Sequence, residues 1–204
     1  MEAVSPLVRH HTPVGISDRL AFAFTKFLRF FADIFFAKRY GHRAVVLETV
    51  AAVPGMVAGT LQHLRALRRM EGDNGWIQTL LNEAENERMH LMTFVEIANP
   101  SKFERFLILM AQGIFYNFFF MVYFCSPRTA HRIVGYFEEE AVYSYTEYLE
   151  NIDKGVCENV AAPQIAIEYW NLAPDARLRE VVLAVRNDEA LHRDVNHQFA
   201  DDLS

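Results

Sequence analysis

Cysteine is almost missing from this 204-residue chain, which holds only Cys125 and Cys157. Two thiols exclude a disulfide framework and fit a reducing compartment. Glycine and proline are scarce as well, at 9 and 7 residues, and runs of β-branched residues are few, which weighs against a sheet protein. Basic charge is not in excess. The formal net charge of -6 argues against a nucleic-acid partner. Met1 to Pro13 contain neither an apolar signal core nor an Arg- and Ser-rich amphipathic leader. The expectation is that a targeting peptide has been removed or never existed.

What the chain does have is helix-forming composition. Leu, Ala, Arg, Glu and Met recur throughout. Half the residues are apolar and 17 are Phe, enough for one domain with a sizeable core. We expect an all-α fold with an irregular arm over residues 1–16 and a single domain over 17–204. Ser17 and Asp18 are positioned to cap a first helix running to about Lys38. Further helices are expected at about 42–70, 74–98, 101–124, 127–151 and 175–200, with a short one near 164–171. Pro54-Gly55 should kink the second. Asn99-Pro100 stops the third.

The chemistry-bearing pattern is Glu-x-x-His, which occurs at Glu87-Arg88-Met89-His90 and again at Glu189-Ala190-Leu191-His192. Residues three apart share a helix face, so each pair can aim a carboxylate and an imidazole at one point. Glu48 stands in the nearly apolar run from Ala44 to Val53, and Glu138 opens the run Glu138-Glu139-Glu140. Charged glutamates are rarely buried without a partner. The bland alternative for Glu48 is an isolated carboxylate on a helix face. Two Glu-x-x-His elements plus two further glutamates make up the ligand set of ferritin-like di-iron carboxylate bundles. Oxygen and imidazole donors without thiolate suit iron or manganese.

Neighbouring residues sort by register. Tyr145 lies seven residues beyond Glu138 on the same face, which favours Glu138 as ligand with Tyr145 near the metals. Glu140 then falls outside the ligand set or on the surface. Asp194-Val195-Asn196-His197 repeats the spacing as a decoy, and His197 reads as structural or as a support to the ligands. Glu83 and Glu85 are expected to be solvated or ion-paired. Asp188, beside Glu189, is placed to hydrogen-bond a ligand imidazole.

Residues 106–125 are apolar enough to score as a transmembrane helix. One crossing would separate Glu48, Glu87 and His90 from Glu138, Glu189 and His192, and the metal set could not assemble. A helix lying in the bilayer surface avoids that. The first helix, with Phe beside Lys and Arg, has the composition of such an anchor. Core packing or a dimer interface is the alternative for both.

Four blocks together resemble one family, the mitochondrial alternative oxidase, a cyanide-insensitive di-iron ubiquinol oxidase. They are Leu47-Glu48-Thr49-Val50-Ala51, Asn86-Glu87-Arg88-Met89-His90-Leu91, Glu138-Glu139-Glu140-Ala141 and Asp188-Glu189-Ala190-Leu191-His192 with Val195-Asn196-His197. Residues 48–56 and 83–94 look most like the trypanosome form. The resemblance implies two iron ions bound by Glu48, Glu87, His90, Glu138, Glu189 and His192, with Tyr145 redox-active. It places Asn86, Asp188, Trp170 and His197 in the hydrogen-bond network around the metals. Arg43, Leu47, Ala141 and Ser144 would stand near a quinol pocket, where Glu140, Ser144 and Arg43 are expected to hydrogen-bond the ring head.

The implied fold is a four-helix di-iron bundle with two further long helices, one amphipathic and one apolar, on the membrane surface. The implied protein is a homodimer, monotopic on the matrix face of the mitochondrial inner membrane. The implied reaction oxidises ubiquinol to ubiquinone and reduces O2 to water without proton pumping. No cysteine precedes the first helix, so the thiol control of plant members is not expected. The rival readings are another di-iron oxygenase, of desaturase or hydroxylase type, and a non-catalytic iron-binding membrane protein.

Overall fold

The computed structural model describes residues 10–36 and 40–203. Residues 1–9, most of the expected arm, and Lys38, the expected end of the first helix, lie outside them. Seven helices and no strand occur among the described residues: α1 (Gly15–Phe36), α2 (Tyr40–Arg69), α3 (Trp76–Ala98), α4 (Lys102–Cys125), α5 (Pro127–Asp153), α6 (Gln164–Tyr169) and α7 (Leu178–Asp202). The chain forms two compact units, one of Lys38–Ala130 and one of Met1–Ala37 with His131–Ser204.

In the first of these units α2 packs against α3 and α4. Pro54 lies inside α2 without ending it. Beside it, Gly55 lets the two backbones close up, because a Cβ there would stand 2.5 Å from the Leu80 carbonyl oxygen. The buried face of α3 runs Leu80, Glu83, Ala84, Glu87, His90 and Phe94. This is a three-four repeat, so the acidic and imidazole positions belong to the stripe that makes the core. Asn99 ends α3 in the left-handed conformation at φ 44, its amide donating to Val95 O. Ser101 then starts α4 with a reciprocal capping box to Glu104. Gln112 on α4 donates to the Thr49 carbonyl on α2 at 3.3 Å.

Two helices are long and apolar enough to cross a membrane, and they differ in burial. The apolar window of Gly41–Arg69 is 61% buried, as a core helix is, whereas that of Lys102–Cys125 is 11% buried. Of α4 only Phe119 and Tyr123 are buried, while Phe103, Phe106, Leu109, Ile114, Met121 and Phe124 are exposed.

In the other unit α7 buries Val181, Val182, Val185, Glu189, His192, Asn196 and Phe199, again one stripe with the Glu-x-x-His pair inside it. The buried residues of α5 include Ile133, Val134, Glu138, Val142, Tyr145 and Leu149. α1 begins at Gly15 rather than at a Ser17-Asp18 cap. Asp18 therefore lies inside the first turn, where its Oδ2 accepts from the Val14 amide at 3.2 Å. α1 also exposes Ile16, Leu20, Phe27, Phe30, Phe31 and Ile34. The segment between α5 and α7 is pinned by an isolated antiparallel bridge, Ala161 to Arg177.

Candidate metal centre

Glu48 on α2 and Glu87 and His90 on α3 converge inside Lys38–Ala130. Their exposures are 2%, 1% and 0%. His90 Nδ1 stands 3.3 Å from Glu48 Oε2 and 3.4 Å from Glu87 Oε2. Each of the three offers a donor atom within 4.8 Å of the others. Two carboxylates packed around one imidazole in a dry site form a donor set that favours a cation. A cation seated between them would balance both. The donors are hard oxygen and imidazole nitrogen, so a divalent iron or manganese fits them.

The unit that contains α1 and α7 carries a matching set. Glu189 and His192 on α7 are buried, with His192 Nδ1 3.8 Å from Glu189 Oε2. Glu138 on α5 is buried, and Tyr145, two turns on along the same helix, is buried too.

The three adjacent glutamates part company here. Glu138 and Glu139 are both buried, while Glu140 is half-buried and ion-paired to Lys26 and Arg29 of α1. Glu139, which the sequence pattern does not single out, anchors a polar cluster. Its oxygens take His197 Nε2 at 3.0 Å, the His11 amide at 2.6 Å and His10 Nδ1 at 2.9 Å. Burial alone would raise its carboxyl pKa; these hydrogen bonds outweigh it and hold Glu139 below the ordinary range. His197 thus bonds Glu139 and Arg132 rather than a residue of the expected ligand set. Its Nδ1 accepts from Arg132 Nη1 at 2.9 Å, so its Nε2 carries the proton given to Glu139. Arg132 is 1% exposed and also faces Asp18 at 3.5 Å and Asp201.

His131, also not anticipated, is buried beside this cluster. Burial pushes its pKa down to about 4, and the bond to Asn196 only partly opposes that. The Asn196 amide oxygen accepts from His131 Nδ1 at 2.9 Å, while its Nδ2 donates to the His192 carbonyl at 3.0 Å. No signal in the sequence marks either residue: Glu139 stands between two other glutamates, and His131 is next to Arg132.

The remaining expected residues are placed as follows. Trp170 Nε1 donates to Asp188 Oδ2 at 2.8 Å, tying the end of α6 to α7. Asn86 is half-buried beside Glu87. Arg43 on α2 is buried, and Leu47 is 38% exposed. Ala141 is half-buried, and the buried Ser144 hydroxyl donates to its own helix at Glu140 O, 2.8 Å away. Glu83 is 5% exposed, so the solvated reading of it fails. Its i,i+4 relation to Glu87 puts it on the core stripe of α3.

An all-helical chain that buries carboxylates and imidazoles in this way fits the class of helical di-metal carboxylate proteins. The chain belongs to the alternative oxidase family, whose model matches residues 1–201. It is 60% identical over 192 residues to the mitochondrial ubiquinol oxidase of Batrachochytrium dendrobatidis, covering 94% of this chain and 61% of the relative. It is 59% identical over 197 residues to mitochondrial ubiquinol oxidase 2 of Arabidopsis thaliana, covering 97% of this chain and 56% of the relative. With mitochondrial alternative oxidase 3 of Glycine max the identity is 58%, over 97% of this chain and 60% of the relative. The chain thus spans about three fifths of the length of the curated relatives it matches.

Proposed function

We propose that this chain is a ubiquinol:oxygen oxidoreductase that couples oxidation of two ubiquinols to reduction of one O2 to two waters, without pumping protons. The observation that carries this reading is the matched pair of buried sets, Glu48 with Glu87 and His90, and Glu138 with Glu189 and His192. We assign the six residues of these sets to the holding of two iron ions, and residues 17–204 to one catalytic domain. The irons would supply the electron storage and the oxygen reduction.

The chain's own side chains do the rest. The buried setting of Glu48, Glu87 and His90 excludes water and keeps the donors preorganised. Tyr145, buried on the helix of Glu138, is the nearby group able to give up a proton and an electron together. Asn86 and Asp188, the latter tied to Trp170, are assigned to orienting the ligands beside them, and His197 to fixing Glu139 next to Glu138. Arg43, Leu47, Glu140, Ala141 and Ser144 are the residues we assign to quinol binding, with Glu140 accepting a hydrogen bond from the quinol ring hydroxyl.

A hydrophobic quinol needs a lipid route. The exposed apolar residues of α1 and α4 support monotopic binding to a bilayer, each helix lying in the interface. The relatives are mitochondrial ubiquinol oxidases, which supports mitochondria, and we place the chain on the matrix face of the inner membrane. Exposed Leu64 and Leu67 on α2 with Leu81 and Met92 on α3 are the surface we assign to pairing of two copies.

The test is oxygen uptake by the purified chain with a short-tailed quinol in the presence of cyanide, alongside a metal count. Two irons per chain and cyanide-insensitive uptake with one O2 per two quinols are expected. Glu138→Ala and His192→Ala should each abolish uptake. Full activity in either variant, or turnover only with a reductase and a carbon substrate, would overturn the reading.

A further inference from the structure

The segment that precedes α1 reaches the buried carboxylate of Glu139 on α5. The His11 backbone amide donates to its Oε1 at 2.6 Å, and His10 Nδ1 lies 2.9 Å from its Oε2. His197 Nε2 on α7 meets the same Oε1 at 3.0 Å. The His11 ring then stacks on the His197 ring, with centroids 4.7 Å apart and planes 21° from parallel.

The far end of the segment is anchored as well. The Val14 amide donates to Asp18 Oδ2 at 3.2 Å, and His11 Nε2 stands 3.6 Å from that oxygen. Asp18 faces Arg132 at 3.5 Å, and Arg132 bonds His197 at 2.9 Å. The contacts close a ring that runs from His11 through Glu139, His197, Arg132 and Asp18 back to His11. The His10 side chain, outside the ring, is 60% exposed, while that of Glu139 is 2% exposed.

Residues 10–14 form no helix, so no helical hydrogen bonds hold them in place. Their donors go to α1 and α5 instead. Glu138 precedes Glu139 by about 100° around α5. A carboxylate clamped from the segment on one side and from α7 on the other fixes the rotation of this turn, and with it the direction of Glu138. Bonds to a charged acceptor are about twice as strong as neutral ones. An exposed pairing such as that of His10 is weak.

We infer that residues 10–14 are a strap that positions Glu138 for its metal: the His11 main-chain amide clamps Glu139 against His197 and so sets the turn of α5 that presents Glu138. This rests on the reading of Glu138 as an iron ligand. His11 is a positioning residue in this account, acting through Glu139, and its main chain matters more than its ring.

Two measurements on the full chain test the strap. One is the rate at which the iron-loaded protein gives up iron to a chelator, with the Mössbauer spectrum of each variant. The other is hydrogen exchange in iron-free protein, comparing residues 138–142 of α5 with residues 87–90 of α3. His11→Pro removes the amide donor. It should release one of the two irons about tenfold faster, the scale of losing a group that supports a ligand, and change the Mössbauer doublet of that iron alone. Exchange should quicken about tenfold at 138–142 and stay at the wild-type rate at 87–90. His11→Ala keeps the amide and should rescue most of this. His10→Ala should speed release less than about threefold.

Wild-type release and exchange in His11→Pro would overturn the strap. Equal loosening of both irons and of both helices would overturn it too, since that is a loss of general stability. An equal effect of His11→Ala and His11→Pro would refute the role given to the main chain. A wild type that binds no iron would take down the metal reading, and this inference with it. Should His11→Pro fail to fold, Glu139→Gln decides: it weakens every bond of the clamp, and a wild-type release rate there is a refutation.

Discussion

Gly135 on α5 lies against the imidazole of His197 on α7, so close that a Cβ at 135 would stand 2.6 Å from the ring Cε1 and Nδ1. The ring is already bonded on both nitrogens, to Arg132 and to Glu139. It has no free direction in which to retreat. Gly135→Ala is expected to lower stability by about 2 kcal/mol through overpacking and lost hydrogen bonds. Thermal unfolding of the two proteins measures this, and equal midpoints would refute the fit described.

A second glycine makes the same case against backbone rather than a side chain. At Gly55 a methyl carbon would meet the Leu80 carbonyl oxygen at 2.5 Å and Ala84 at 3.0 Å. Backbone does not swing aside, so α2 and α3 must separate. Gly55→Ala should cost about 3 kcal/mol. It should also weaken iron binding, because Glu48 lies on α2 and Glu87 and His90 on α3. A destabilised protein with unchanged iron affinity would contradict the second half of this expectation.

Acid should destabilise the fold through His131. Its pKa falls from 6.5 to about 4 on burial. Between those values the unfolded chain binds a proton that the folded one does not, so stability drops as the pH is lowered. The contribution is fully present above about pH 6.5 and is lost as the pH falls to about 4, on the order of 3 kcal/mol in all. Denaturant unfolding as a function of pH reads it out. His131→Gln, which keeps a donor for Asn196 without the titration, should flatten that slope. An unchanged slope would place the acid sensitivity elsewhere.

Iron removal and carboxylate removal should have opposite signs. Glu48 and Glu87 both face His90, which suits a cation. Iron at a hundredfold excess over Kd should stabilise the wild type by about 2.7 kcal/mol. In chelator, Glu87→Gln should melt above the wild type, having lost one of two like charges. With iron present the order should reverse. A variant that melts lower in both conditions would mean that Glu87 is only structural.

Much of this is readable along the chain because α3 and α7 each bury one three-four stripe, and α5 carries another within a more widely buried surface. Glu87 with His90, Glu138 with Tyr145, and Glu189 with His192 fall on those stripes, and periodicity alone puts them inside. The polar cluster around Glu139 is not readable in that way. Its members, His10, His11, Asp18, Arg132 and His197, come from the amino-terminal segment, α1, α5 and α7. Each taken alone looks like an ordinary surface residue. Only their convergence makes burial tolerable, and convergence is a tertiary property. Glu83 is half readable: a glutamate beside other glutamates reads as solvated or ion-paired, and its burial one turn from Glu87 removes only the first of these.

The bare flank of α4 has a consequence for how this protein can change over time. Phe103, Leu109 and Ile114 are 68%, 63% and 68% exposed. No close-fitting neighbour dictates their shape, so one greasy residue can replace another there. Phe119 and Tyr123, at 0% and 3%, fill shaped space and lack that freedom. Drift should therefore scramble identities along one side of this helix while sparing its oiliness, and leave the opposite side nearly frozen.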